Sequence, residues 1–311
     1  MKRNKVLCFT TSYGRPYHLY HTLNSIVNQT YKHFDYSIGI CIDDDQEKED
    51  YLRLLSDFIE DSRIHLFFHT NLDQHNNYLY PIRNMDHGTY DIFVKIDDDD
   101  VYTKNYLSKN LKSYKELNVD IISSNIIYEI NNNKLYKGKF DNVGGYWHED
   151  LESSVKFGMP FSYIFNRKCL ETLLNTTREE LEKIHPFEDP GWRRKWRQDG
   201  ITSVVIEDSD LAVYHIHGKN ISSSGYLVQD DKYSHYEDAV FTLCLFKHKF
   251  WESYIVINKL LNRVYNIKNN DCGQYSTIDQ DSICILWDKY SEKEKFIKRN
   301  IDKTFIYEHI I

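Results

Sequence analysis

No stretch of the sequence approaches the roughly 18 to 20 consecutive apolar residues that a membrane span requires. The start, Met1-Lys2-Arg3-Asn4-Lys5-Val6-Leu7, leads directly into a strand-like run instead of an apolar signal segment. A cytoplasmic protein with no membrane span is the expectation. Cysteine is sparse: Cys8, Cys41, Cys169, Cys244, Cys272 and Cys284 are scattered with no Cys-x-x-Cys spacing through 311 residues. A chain of that size has no need of disulfide staples, so reduced, mostly buried thiols are expected. Basic charge is in the minority, with 39 Lys and Arg against 47 Asp and Glu and a net charge of −8, which argues against a general nucleic-acid binder. Twelve glycines and five prolines, beside 41% hydrophobic and 28% charged residues, exclude collagen-like, low-complexity and wholly disordered chains. The length admits two domains, or one large domain with an extension.

The first 130 residues alternate apolar, β-rich runs with amphipathic stretches, the pattern of strand-helix-strand units around a mostly parallel sheet. Strands are expected at Lys5 to Thr11, Phe34 to Ile42, Ile64 to His69, Asp91 to Ile96 and Val119 to Tyr128. Helices are expected at Pro16 to Gln29, Lys48 to Glu60, Tyr80 to His87 and Thr103 to Leu117. A hairpin turns at Asn131-Asn132-Asn133, and Asp141 to Gly158 reads as a loop. Further on, Pro160 to Phe165, Thr202 to Ile206 and Leu211 to His217 read as extended, and Arg178 to Ile184 and Pro190 to Gln198 as helical. From about Tyr233 an apolar stripe of Phe241, Leu245, Phe250, Tyr254 and Ile257 predicts a helical tail. That stripe suits packing on the rest of the chain, a dimer face, or peripheral docking on a membrane through Lys247, His248 and Lys249.

The strongest chemical feature is Phe93-Val94-Lys95-Ile96-Asp97-Asp98-Asp99-Asp100, an apolar strand that delivers four carboxylates at its C-terminal end. Ligands bind outside the carboxyl ends of strands in open α/β sheets. Crowded carboxylates repel unless a cation neutralises them, and hard ions such as Mg²⁺ or Mn²⁺ suit such oxygens together with phosphate. A second reading of the same acids is a solvated turn capping the next helix. Asp43-Asp44-Asp45 ends another strand on the same rim, with the same two readings open. Between them, Arg83 offers a planar fork for phosphate or a base. Arg193, Arg194, Lys195 and Arg197 read either as a solvated basic face or as a phosphate contact.

Together, Thr10-Thr11-Ser12-Tyr13-Gly14-Arg15-Pro16, Leu23-Asn24-Ser25-Ile26-Val27-Asn28-Gln29-Thr30-Tyr31, Asp43-Asp44, Arg83-Asn84 and Ile96 to Asp100 resemble, in order and spacing, a family 2 glycosyltransferase of the GT-A fold across residues 5–107. The resemblance implies an α/β GT-A domain over 1–230, with a nucleotide-sugar half (1–107) and an acceptor half (108–230), followed by a helical extension over 231–311. It implies that Thr11, Tyr13, Asp43 and Arg83 hold base and ribose, with Arg15, Asp97 and Asp98 also on the nucleotide-sugar side. Asp97 and Asp99 become the D-x-D pair, with Asp99 the metal ligand.

Glu188-Asp189 resembles the family's catalytic pair at a helix start, with Asp189 as base. Val213 to Ser222 resembles the segment that carries a metal-binding histidine, here His217, with His215 beside it. Aromatic faces suit sugar rings, so Trp147, His148 and Trp192 are candidates for acceptor contact, with ordinary core or loop packing as the other reading. The implied reaction moves a sugar from a nucleotide diphosphate, most simply a UDP-sugar, to a hydroxyl of a glycan or lipid-linked glycan. It proceeds with inversion and with Mn²⁺ or Mg²⁺, as in surface polysaccharide or glycoconjugate synthesis. Two rivals remain. One is a sugar-phosphate nucleotidyltransferase, which should carry a Gly-rich basic loop after its first strand, and the other is a non-catalytic nucleotide-sugar or glycan-binding module.

Overall fold

A computed structural model describes residues 5–70, 72–102, 105–124, 126–131, 134–139, 158–184, 188–206, 212–215, 241–248, 251–258, 263–266 and 271–274. For 126–131, 134–139, 212–215, 241–248, 251–258, 263–266 and 271–274, and for Tyr17, His21 and Val101, the backbone alone is described. The chain begins β1 (Val6–Tyr13), α1 (Pro16–Val27), β2 (Phe34–Cys41), α2 (Asp45–Leu54), α3 (Ser56–Ile59), β3 (Ile64–His69), α4 (Gln74–Arg83), β4 (Ile92–Lys95), β5 (Val101–Tyr102) and α5 (Tyr106–Leu117). It continues with β6 (Ile121–Ser124), β7 (Ile126–Asn131), β8 (Lys134–Lys139), β9 (Ile164–Asn166), α6 (Arg167–Leu174), α7 (Arg178–Ile184), α8 (Glu188–Gln198), β10 (Ser203–Ile206) and β11 (Ala212–His215).

Seven strands form one sheet in the order β10-β6-β9-β4-β1-β2-β3. All neighbours run parallel except β9, which is antiparallel to both β4 and β6. The expected mostly parallel α/β sheet is therefore what this sequence forms. Its logic is visible in β1, where side-chain alternation sends Val6 and Cys8 into one core and Leu7 and Phe9 into the other, all buried. A strand covered on both faces reads as a continuous apolar run, which is why Val6-Leu7-Cys8-Phe9 shows no polar alternation. The first core is closed by Leu19, Leu23 and Ile26 of α1, the second by Leu79 and Ile82 of α4 and Trp192 and Trp196 of α8.

From β1 the chain winds outward through β2 to β3, then returns to place β4 on the other side of β1. The strand order reverses there, and the ends of β1 and β4 open the crevice in which such sheets take ligands. Two glycines serve this geometry. Gly14, at φ +64°, lets β1 turn into α1 in a left-handed conformation that other residues resist. Gly39 in β2 leaves room for the Pro81 ring, which would lie 2.9 Å from any Cβ. Ser37 Oγ donates to the Pro81 carbonyl at 2.7 Å, satisfying one of the carbonyls that the last turn of α4 leaves without a helical partner.

Several elements differ from the sequence expectation. The helix expected at Tyr80 to His87 begins instead at Gln74, because Asp73 caps it by accepting from the Asn76 N–H at 3.0 Å. The strand expected from Val119 to Tyr128 divides between sheets. Its first part, β6, joins the main sheet, and β7 pairs antiparallel with β8 in a second sheet of order β5-β11-β7-β8. The helix α6 was not apparent in the apolar spacing; Asn166 caps it through the Cys169 N–H. In the tail the described backbone is extended, not helical: β12 (Phe241–His248), β13 (Trp251–Asn258), β14 (Arg263–Asn266) and β15 (Asp271–Gln274) form an antiparallel meander. Short apolar runs are ambiguous in period, and the β-branched and aromatic content of Tyr254-Ile255-Val256-Ile257 favours a strand once a partner supplies its hydrogen bonds.

Candidate functional site

The turn after β4 is fastened from α1. Thr22 Oγ1 donates to the Asp100 carbonyl at 2.7 Å, and the Tyr102 hydroxyl accepts from the Asp97 N–H at 3.0 Å while donating to the Phe161 carbonyl. The backbone that carries the four aspartates is thereby held by buried groups of neighbouring elements. Opposite, the β1-to-α1 turn presents Arg15, whose fork donates to Asp98 Oδ1 from Nη2 and to Asp99 Oδ2 from Nη1. Charge-assisted pairs of this kind are short and directional. Burial opposes the charge on Arg15, but Asp98 and Asp99 outweigh it and hold its proton more firmly than usual. For Asp98, burial dominates and the Asp99 charge adds to it, so that even beside Arg15 its pKa is pushed up to about 7.

Asp97 faces the other way. Because β4 alternates, Lys95 shares a face with Phe93, on the side covered by α4 and α8. Its fully buried ammonium donates to Asp97 Oδ1 at 2.7 Å and lies 3.4 Å from Asp189 Oδ1 at the start of α8. Tyr78 of α4 closes this group, with its ring 4.4 Å below the ammonium and its hydroxyl donating to Asp97 at 3.3 Å. Desolvation disfavours the charge on Lys95, but Asp189 and then Asp97 more than restore it. Burial raises the pKa of Asp97 against the pull of Lys95. Glu188, next to Asp189, is buried, and burial together with the Asp189 charge lifts its pKa well above the carboxylate range.

The first acidic strand end resolves differently. Asp44 caps α2 by accepting from the Glu47 N–H at 2.8 Å, and Glu47 Oε2 accepts from the N–H of Asp43, one residue before the cap, at 2.8 Å. Asp43 itself accepts from the hydroxyl of the exposed Tyr13 at 3.0 Å, and this bond raises the tyrosine pKa. Thr11 lies half-buried on β1 between Tyr13 and the core. Arg83, exposed at the end of α4, donates to Asn76 Oδ1 at 2.8 Å.

Of the residues singled out in sequence, Arg15, Asp97, Asp98, Asp99, Asp189 and Glu188 thus converge on the β1/β4 crevice, with Tyr13 and Asp43 together at the adjoining strand ends. Trp147, His148 and His217 lie outside the described residues, and His215 is described only as backbone at the end of β11. Trp192 corrects an expectation. It is fully buried, packs edge-on to Tyr78 and Trp196, and donates from Nε1 to His75 Nδ1 at 3.0 Å, so its faces belong to the core. The basic run is divided likewise: Arg193 is buried, Arg194 donates to the Ile184 carbonyl, and Lys195 pairs with Asp199. Sequence reasoning passed over Lys95. Its signal was a lysine inside an otherwise apolar central strand, where a charge persists only if it is paired.

Among the described residues no group of three or more His, Cys, Asp or Glu is arranged as a metal site. The donors that cluster in the crevice are nonetheless all carboxylate oxygens, the ligand type of Mg²⁺ and Mn²⁺. Asp98 and Asp99 are balanced there by a cation, the Arg15 guanidinium. The chemistry of the donor set therefore fits a hard divalent ion.

An open α/β sheet with acids gathered where its strand order reverses places them where such folds take ligands. The chain is a member of glycosyl transferase family 2, whose model matches residues 8–177, just over half of its length. No curated protein matches it. Among solved structures, it is similar to S. aureus TarS 1-349 at 13% identity and a TM-score of 0.49, covering 68% of this chain and 60% of that one. The same protein in complex with UDP-GlcNAc gives 12%, 0.49, 71% and 61%. The mannosyltransferase PcManGT from Pyrobaculum calidifontis, in complex with GDP-Man and Mn²⁺, gives 14%, 0.49, 73% and 60%. The chain thus spans about three fifths of the length of these crystallised chains. No helix among the described residues is long and apolar enough to cross a membrane.

Proposed function

We propose that this glycosyltransferase moves a sugar from a nucleotide diphosphate, with a UDP-sugar as the first donor class to examine, to a hydroxyl of a glycan or lipid-linked glycan, with inversion, in surface polysaccharide or glycoconjugate synthesis. The observation that carries the reading is the meeting, at one crevice, of the β4 carboxylates with Arg15 on one side and, through Lys95, with Asp189 on the other.

Tyr13, Asp43, Thr11 and Arg83 bind the base and ribose, and Arg15, Asp97 and Asp98 orient the diphosphate end. Asp99, with His217, is the site for Mg²⁺ or Mn²⁺, which when bound stabilises the negative charge of the leaving diphosphate. Asp189 accepts the acceptor hydroxyl's proton as that oxygen attacks the anomeric carbon from the face opposite the diphosphate. A single displacement of this kind inverts the configuration. An aspartate works here by being positioned and by taking the proton late. Glu188 is buried beside the base, and its burial together with the Asp189 charge raises its pKa.

The test is to incubate the purified chain with a panel of UDP-, GDP- and CDP-sugars and Mn²⁺, beside Asp99→Asn and Asp189→Asn. Donor turnover that both substitutions abolish supports the assignment. Turnover unchanged in Asp189→Asn removes the base, and donor binding unchanged in Asp99→Asn removes the metal role. Binding of a donor with no product over hours identifies a non-catalytic module instead.

A further inference from the structure

We propose that Lys95 is a positioning residue that ties the donor-side carboxylate Asp97 to the acceptor-side carboxylate Asp189 and so sets the distance across which the transfer occurs. The inference rests on the reading of Asp189 as the base and extends it to a residue outside the nucleotide-binding motifs.

The observation is geometric. Asp97 sits on the turn after β4 and Asp189 at the start of α8, 92 positions apart in sequence, and the Lys95 ammonium touches both at 2.7 and 3.4 Å. The lysine side chain is wholly enclosed, while each carboxylate keeps about a fifth of its side chain open to the crevice. Packing alone does not ask for a charge at this position: Phe93, on the same face of β4, is apolar, and a methionine would fill the space without the cost of dehydrating an ammonium.

The two contacts are not equivalent. Asp97 has further supports, since the Tyr78 hydroxyl donates to its side chain and its own N–H is held by Tyr102. Asp189 has Lys95 as its one ion-pair partner among the described residues, and its Oδ1 accepts no hydrogen bond there. Tyr78 also fixes the ammonium from below, with its ring 4.4 Å away. Removing the lysine charge therefore leaves the donor side anchored and the base side loose. A general base misplaced by about 1 Å loses on the order of 100-fold in rate while substrate binding is untouched.

The experiment compares the full chain with Lys95→Met, and with Lys95→Gln should the methionine variant not fold. The expected result is a fall in kcat of about 100-fold, with donor KM and calorimetric donor Kd within about threefold of the parent. A purely structural lysine would move donor affinity and kcat together, so a matching loss in both, or a kcat within threefold of the parent, overturns the proposal. Failure of the base assignment is read separately, from Asp189→Asn with Lys95 intact. If the parent turns over none of the donors, the crystal structure of the Lys95 variant decides. An Asp189 carboxylate displaced relative to Asp97 supports the role, and one that stays in place refutes it.

Discussion

Two strand ends in this protein carry nearly the same sequence signal and do opposite things with it. After β2, Asp43-Asp44-Asp45 meets solvent, and Asp44 and Glu47 exchange bonds with the backbone at the start of α2. After β4, Asp97 and Asp98 meet buried or half-buried cations, Lys95 and Arg15, and the turn itself is bolted to α1 through Thr22. A run of acids in sequence does not distinguish a helix cap from a charged site. What separates them is the countercharge brought from elsewhere in the fold, and burial that makes an unpaired carboxylate costly.

The comparison breaks most visibly under substitution at the second cluster. Asp99→Asn is expected to lower kcat with a nucleotide-sugar donor by about 100- to 1,000-fold, the usual cost of removing one group that stabilises transition-state charge. Asp44→Ala should leave the turnover rate unchanged and cost about 1 kcal/mol of stability in a denaturant titration, the value of a lost cap. Equal catalytic losses in the two variants would erase the distinction.

A third acid sharpens it. Asp120, before β6, accepts from the Thr202 N–H and hydroxyl, Asn166 and Lys168, tying the starts of β6 and β10 to the end of β9. Its partial burial opposes ionisation, yet these donors, Thr202 foremost, hold its pKa well below the ordinary range. A folded-state pKa below the unfolded one means stability that is present above about pH 4 and lost as the pH falls through the depressed folded value. Asp120→Asn is expected to cost about 2 kcal/mol at pH 7, and the difference from the parent should shrink as the solution is acidified. A difference that grows toward acid pH would contradict the assignment.

Glu188 runs the other way. Its folded pKa lies above the unfolded one, so the protein loses stability as pH rises from about 4.3 toward the folded value. Glu188→Gln should therefore raise the melting temperature at pH 7 and lose that advantage below pH 4; a lowered melting temperature at neutral pH would count against a raised Glu188 pKa. The smallest effect belongs to Tyr13→Phe. It deletes an exposed bond to Asp43, so its stability should stay within about 0.5 kcal/mol of the parent by thermal melt.

The alternation of apolar strands and helices was legible through about residue 124 because a sheet buried on both faces writes its strands as apolar runs, as in Val6-Leu7-Cys8-Phe9 and Ile92-Phe93-Val94. Legible also were the acids at strand ends, since parallel strands place all such ends on one rim. Long-range partnership was not legible. Nothing local to Lys95 announces Asp189, and nothing near Trp192 announces His75, which its indole bonds across 117 positions. The tail failed for a different reason: Phe241, Leu245, Phe250 and Tyr254 satisfy a helical stripe, while the adjacent β-branched residues satisfy a strand equally well.

The central claim is that the β4 carboxylates hold a nucleotide sugar through a divalent ion. Calorimetric titration of UDP- and GDP-sugars into the parent and Asp99→Asn, each with and without Mn²⁺, measures it directly. The account predicts binding to the parent that depends on Mn²⁺ and a loss of that dependence in Asp99→Asn; equal affinity in all four titrations would contradict it.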